Sequence, residues 1–381
     1  MDNTLRDSPR SSTRYLHLLV SAGITIAFFY FLYAEESAHG FWEIVAGVDP
    51  WGVGLYVALS LAGVLVRALR YRVLLNDIVG LEKTPGTGRL VLITFIRNTL
   101  VDLLPARAGE LGYIYFLNRA GVSLAAGASS FGFCIVLDIL VLLFIVAGLL
   151  VLSLSIPAFA IGSMQASATV TALVLVAVAV AALFFVIRYL PRLFHFAATM
   201  TRRLALRIPG KKSARLTSWL EENIEQIGAD LASLAKRGVL VRLCWYTFWL
   251  RVLKYASLYV LLLAVVKQWG LGPSQIHPLV SMIAFIIAEA SASLPISGLM
   301  GFGMYESSWA AIFALSNVQI PALVKVGFIV HLITQVKAYS LGIASMLVLM
   351  WLDLRKQAPE EAQPVIDAYS PPEQRRLSLR R

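Results

Sequence analysis

The chain has 381 residues, of which 58% are hydrophobic and 14% charged, with a formal net charge of +11. Soluble domains carry about 25% charged residues, so a water-soluble globule, a disordered chain and a collagen-like chain are excluded. The two cysteines, Cys134 and Cys244, are too few for a disulfide scaffold. The basic residues lie between long apolar runs and not on one compact face, which points away from nucleic acid and toward a polytopic membrane protein.

A spanning helix needs about 20 apolar residues. Residues 1–14 form a basic N-terminus carrying Arg6, Arg10 and Arg14. The first predicted span is 15–34, whose apolar run is too long for a signal peptide. A second span, 51–68, ends at a cluster of Arg67, Arg70 and Arg72. Residues 90–104 are apolar but short, carry Arg97 and Asp102, and end at Leu104-Pro105; a second short piece, 109–118, follows. Spans 131–153 and 167–187 come next. The loop 188–238 begins with a basic, Leu- and Phe-rich stretch through Arg215 and continues as an amphipathic helix with Leu216, Leu220, Ile224, Ile227, Leu231 and Leu234 at helical spacing. Span 239–266 precedes a second broken segment: 279–294 ends at Leu294-Pro295, a turn with Gly298, Gly301 and Gly303 follows, and 304–316 completes it. The last span is 322–352, and residues 353–381 form a Pro- and charge-rich tail read as disordered.

Broken helices at membrane depth are tolerated where they are buried in protein or line a wet cavity. With both broken pairs re-entrant and both termini inside, most of the 33 lysines and arginines fall on the cytoplasmic side, and the first outer loop holds Glu35, Glu36, Glu43 and Asp49 without a basic residue. Ile93, Phe95, Ile96, Leu104 and Pro105 match Ile283, Phe285, Ile286, Leu294 and Pro295 at a constant offset of 190. Two span–hairpin–span triplets of opposite orientation result. The predicted architecture is all-α, with six transmembrane helices and two re-entrant hairpins in an inverted-topology repeat; two unrelated kinked helices are the plainer alternative.

The motifs Arg67-x-x-Arg70-Tyr71-Arg72, Asn98-(x6)-Pro105-x-Arg107-x-Gly109-Glu110, Leu294-Pro295 and Gly301-x-Gly303-x-x-Glu306 give the chain a resemblance to the membrane domain of bacterial lysylphosphatidylglycerol synthase/flippases, over roughly residues 15–352. It looks like the stand-alone members without the aminoacyl-transferase domain. Cys134-Ile135 stands where relatives often carry Glu-Arg ahead of the aspartate, here Asp138. The resemblance implies translocation of a charged lipid between leaflets of a bacterial inner membrane, without lysine transfer.

Ionisable residues inside a bilayer are costly and mark function by default. The headgroup-binding candidates are Arg97, Asn98, Arg107, Gly109, Glu110, Arg251, Lys254, Gly301, Gly303 and Glu306, with Asp138, Glu289 and Lys337 as supporting charges. His331 lies in the last span. Arg107 and Glu110 flank Gly109 at a half-helix N-terminus, a seat for phosphate; alternatively Glu110 caps its helix and pairs with Arg107. Arg251 and Lys254 share a helix face, with Glu289 and Glu306 as expected partners, and Asp138 is expected to pair with a cation such as Arg97. Arg67, Arg70 and Arg72 either anchor the topology or collect an anionic lipid. No catalytic, nucleotide-binding or metal motif is visible, so neither cofactor nor metal is expected. The expected partners are membrane lipids, anionic or lipid-linked; a lipid synthase or glycosyltransferase is the expected protein partner if the chain assists an enzyme, and a membrane enzyme using Asp102, Glu110 and Glu306 is the further alternative.

Overall fold

The computed structural model describes residues 23–27, 29–30, 40–104, 109–155, 174, 177, 181, 239–294, 299–316 and 318–369, and every regular element among them is helical. The named helices are α1 (Phe41–Ala46), α2 (Pro50–Val79), α3 (Thr87–Leu103), α4 (Glu110–Arg119), α5 (Leu124–Ser155), α6 (Val239–Val266), α7 (Pro278–Ala292), α8 (Met304–Leu315) and α9 (Leu323–Tyr369). Short 3-10 turns cover Lys267–Trp269 and Leu299–Gly301. Stretches over Pro50–Val79, Leu124–Leu149, Val239–Trp269 and Leu323–Arg355 are long and apolar enough to cross a membrane. They coincide with four of the expected spans. Span 15–34 is described only at 23–27 and 29–30, and span 167–187 only at 174, 177 and 181; residues 1–14, loop 188–238 and residues 370–381 lie outside the described residues.

Local sequence sets the helix ends. Pro50 and Pro278 open α2 and α7, where a missing N–H costs nothing. α2 stops at Gly80 with φ 86, and the turn after α6 stops at Gly270 with φ 70. α9 continues through Tyr369, past the expected end of the span.

The first helices of the two triplets run antiparallel. The Asp49 N–H donates to Ala264 O at 3.0 Å, Gly63 lies beside Leu253, and Arg70 reaches Thr247. Both broken segments are helix–break–helix hairpins, α3–α4 and α7–α8. Their arms have 17, 10, 15 and 12 residues, so at about 1.5 Å per residue none reaches the roughly 30 Å of a hydrocarbon core.

The hairpins start at opposite ends of the bundle. Arg89 near the start of α3 pairs with Asp353 in the far part of α9 at 2.8 Å, and Thr99 Oγ1 donates to Ala338 O at 2.7 Å. α7 instead starts beside the end of α6, where the Tyr259 hydroxyl donates to Ile276 O at 2.8 Å. That end also holds the start of α9, since Trp269 and Leu323 line one apolar recess. The two breaks converge midway along α9: Gly301 lies against His331, and Asp102 at the end of α3 is within electrostatic reach of His331 and Lys337.

Two cores form, each centred on one hairpin and each completed by side chains of the other triplet: Tyr56 of α2 joins the second, and Leu243 of α6 and Leu349 of α9 join the first. Leu74, Leu90, Ile93, Tyr113, Leu117 and Phe133 pack in the first, and Leu261, Phe285, Trp309, Phe313 and Val330 in the second. Trp42, Trp51, Phe144 and Trp245 point outward, surface that is a liability in water but is solvated by lipid.

Candidate functional site: a charged interior where the hairpin breaks meet

Charged side chains from α2, α3, α4, α5 and α6 meet in the first half of the bundle. Arg70, 1% exposed, donates from Nη1 to Asp138 Oδ1 at 2.5 Å and to Thr247 Oγ1 at 3.0 Å. Arg251 Nη2 stands 3.6 Å from the other Asp138 oxygen. Asp138 is thus shared by Arg70 and Arg251, not paired with Arg97 as the spacing suggests. Arg70 is likewise not a surface anchor: α2 runs for 30 residues, longer than its apolar stretch, and carries Arg70 into the bundle while Arg72 stays exposed and donates to Thr87 Oγ1 at 2.7 Å.

Arg97 turns to Glu110 across the first hairpin. Its Nε donates to Oε2 at 2.6 Å and its Nη2 to Oε1 in a second bond, a fork-to-fork pair of the strongest kind. The pair requires the arms to touch. A Cβ on Gly109 would lie 2.0 Å from the Leu100 carbonyl carbon, so only glycine fits there. Arg97 Nη1 also donates to Asn98 Oδ1 at 3.0 Å, and the same oxygen accepts from Arg67 Nη1 at 2.8 Å. That amide oxygen is the one hydrogen-bond partner of Arg67 among the described residues. Four guanidinium groups (Arg67, Arg70, Arg97, Arg251) therefore face two carboxylates (Glu110, Asp138). Among the described residues this half of the interior thus carries more positive than negative charge, and buried charges cost several kcal/mol each unless paired. Arg107 and the rest of the first tip, 105–108, lie outside the described residues, as does the second tip, 295–298.

The second group lies by the breaks. Lys254 Nζ donates to Glu289 Oε2 at 2.5 Å, as expected for one of the two partners, with both side chains about a third exposed. Lys337 Nζ donates to Ser60 Oγ at 2.6 Å and sits over the Tyr56 ring. Asp102 is exposed, makes no hydrogen bond among the described residues, and is within electrostatic reach of His331, Glu289, Lys254 and Lys337.

Glu306 departs from the expected pairing with Arg251 or Lys254. It is fully buried in the first turn of α8 and accepts from the Gly303 N–H at 2.8 Å. Its other oxygen lies 2.6 Å from His331 Nδ1. The break before α8 uses left-handed backbone at Gly301 (φ 82) and Gly303 (φ 91), a conformation that side chains resist; these glycines shape the turn that aims the first N–H groups of α8.

Spacing along the chain missed Ser60 and Thr247, neutral groups whose partners come from distant helices, and Gln335, which meets His331 one turn away on the same helix. It also missed the crossing of α3 and α9, where a Cβ on Gly342 would lie 1.8 Å from Thr99 Oγ1. The small pair Ala338-x-x-x-Gly342 was the available signal.

No curated protein and no solved structure matches the chain. The family model described as the lysylphosphatidylglycerol synthase TM region matches residues 17–366, which takes in both hairpins, the charged interior and all four long apolar helices. An integral membrane protein with a lipid-related role follows, and the chain belongs to the lysylphosphatidylglycerol synthase transmembrane-region family.

Proposed function

We propose that the protein translocates a lipid with a phosphate-bearing, anionic headgroup between the leaflets of a bacterial inner membrane. The observation that carries this reading is the surplus of guanidinium groups beside the first hairpin break, above all Arg67, held among the described residues only by the neutral oxygen of Asn98. In this reading the hairpins re-enter from opposite membrane faces and open a polar lane between α2, α3 and α9. The headgroup moves along it while the acyl chains stay in lipid.

A charged group dragged through hydrocarbon meets a barrier of several kcal/mol or more. A charge-assisted hydrogen bond returns roughly 1.5–3 kcal/mol, so two guanidinium contacts offset much of that barrier. Arg67 and Arg97 share Asn98, so a phosphate that takes Arg67 leaves the Asn98 oxygen still bonded to Arg97. The lipid leaves chemically unchanged, and no enzymatic step is needed.

The test is leaflet exchange of a fluorescent phosphatidylglycerol in vesicles containing the purified protein. The wild type is expected to exchange the lipid well above protein-free vesicles. Arg67→Met is expected to slow exchange about tenfold or more, one charge-assisted bond at 1.4 kcal/mol per decade, with Arg67→Lys intermediate. Exchange by Arg67→Met at the wild-type rate overturns the site; exchange by the wild type no faster than empty vesicles overturns the function.

A further inference from the structure

One buried titratable pair is left unused by the headgroup lane. His331 is 3% exposed and Glu306 is fully buried. The imidazole is fixed on all sides: Nδ1 faces Glu306 Oε1 at 2.6 Å, Nε2 faces Gln335 Nε2 at 2.9 Å, and the ring stacks on Tyr305 at 4.1 Å between centroids. In this arrangement the Gln335 N–H donates to Nε2. Nε2 then accepts, and Nδ1 donates to Glu306. The Gln335 oxygen is left buried without a hydrogen-bond partner among the described residues, in a residue 6% exposed.

An orphaned buried acceptor is costly, and this one has a use. When Nε2 takes up a proton it becomes a donor. Half a turn of the Gln335 amide then brings Oε1 to it, and the orphan is satisfied. Gln335 serves both protonation states of the ring, and Glu306 is the counter-charge for the protonated one. A group that only held the fold together would need neither.

The charged and titratable groups around the ring come from several elements. Glu306 and Tyr305 face it from α8, and Asp102 is within electrostatic reach from α3. Behind Tyr305 lie Glu289 of α7 and Tyr56 of α2. Lys325 is buried earlier on α9 itself. Asp102, without a hydrogen bond among the described residues, is the carboxylate that the first hairpin brings within electrostatic reach of the ring.

We propose that the His331–Glu306 pair is a proton site that couples lipid movement to proton flow. This rests on the translocase reading. As the Gln335 amide turns away, the proton adds to the electron pair this frees on His331 Nε2, taken from water on the side where the lipid loads, and it leaves the same atom for water on the other side once the lipid has moved. Uptake adds one positive charge beside the Gly301 and Gly303 break, where the two hairpins meet, and strengthens the hold on an anionic headgroup; release weakens it. One proton travelling with one singly charged headgroup moves no net charge. Movement of the lipid is therefore driven by a pH difference and not by membrane potential.

The experiment uses vesicles containing the full-length protein and fluorescent phosphatidylglycerol, with the potential clamped at zero and a pH difference of about one unit imposed in either direction. One proton per lipid corresponds to 1.4 kcal/mol, up to about a tenfold enrichment of the label in the leaflet facing the alkaline side. The wild type is expected to concentrate the label there and to reverse the asymmetry with the gradient. His331→Gln is expected to move the lipid to equal leaflets under either gradient. Gln335→Leu, which removes the acceptor for the protonated ring, is expected to lose most of the asymmetry, and it decides the question if His331→Gln does not fold. Movement without asymmetry in the wild type, or asymmetry kept in both variants, overturns the proton link alone. No movement by the wild type overturns the translocase reading and the link with it.

Discussion

Asp138→Asn tests whether the charged interior is held together by charge. Asp138 neutralises Arg70, which is 1% exposed, and lies 3.6 Å from Arg251. The asparagine keeps the shape but leaves two guanidinium groups without a counter-ion. Breaking a buried pair by removing one partner costs about 3–5 kcal/mol, whereas replacing both partners with apolar groups is often neutral. Asp138 itself is 18% exposed, so the lower end of that range applies. A loss of about 3 kcal/mol corresponds to a drop in melting temperature on the order of 5–10 °C. The double variant Arg70→Met/Asp138→Leu still leaves Arg251 without its counter-ion and is expected to recover the part of the loss that Arg70 causes. Thermal unfolding of detergent-purified protein, followed by size-exclusion chromatography, measures all three. Equal losses for the single and double variants would refute the reasoning, because the cost would then come from packing and not from an unpaired charge.

The tightest approach of the first hairpin gives a second prediction: Gly109→Ala is expected to abolish monodisperse expression, because the added carbon would meet the backbone of Leu100 at 2.0 Å, which cannot rotate away. Gly342→Val, at the crossing with Thr99, is expected to fail the same test. Glu289→Gln leaves the Lys254 ammonium without its carboxylate inside the bundle and is expected to lower the melting temperature, by less than Asp138→Asn because both side chains are about a third exposed. Acidification is a further test, at the start of α2. The Lys267 ammonium, 2.8 Å from Asp49 Oδ2, holds the Asp49 carboxyl below its usual range. A depressed carboxyl stabilises the folded state above its unfolded pKa near 4, and this is lost as pH falls through the lower folded value. The stability difference between wild type and Lys267→Met is therefore expected to be constant from pH 7 to about 5 and to disappear toward pH 3.

The breaks were legible because their causes are local. Proline after leucine at 104–105 and 294–295, and glycines at 301 and 303, interrupt apolar runs too short to span, and the interruptions lie where the sequence puts them. The four long helices were legible from apolar length alone. Partner choice was not. Arg97 and Asp138 sit on different helices, and nothing in their spacing says that Arg97 reaches Glu110 across a hairpin while Asp138 takes Arg70. Arg70 looked like an anchor because the apolar run ends before it, yet the helix does not end there, and the close pairing of α2 with α6 draws its side chain to Thr247. Glu306 was read as facing a cation; its capping of α8 at Gly303 and its contact with His331, 25 residues away, emerge only in three dimensions.

The surplus positive charge at Arg67 is most directly tested by the lipids that stay bound to the purified protein, read by native mass spectrometry. Wild type is expected to retain one anionic phospholipid in preference to phosphatidylcholine, and Arg67→Met to lose that preference while Asn98 stays bonded to Arg97. Equal retention of charged and uncharged-overall lipids by the wild type, or an unchanged preference in Arg67→Met, would contradict an anion-binding interior.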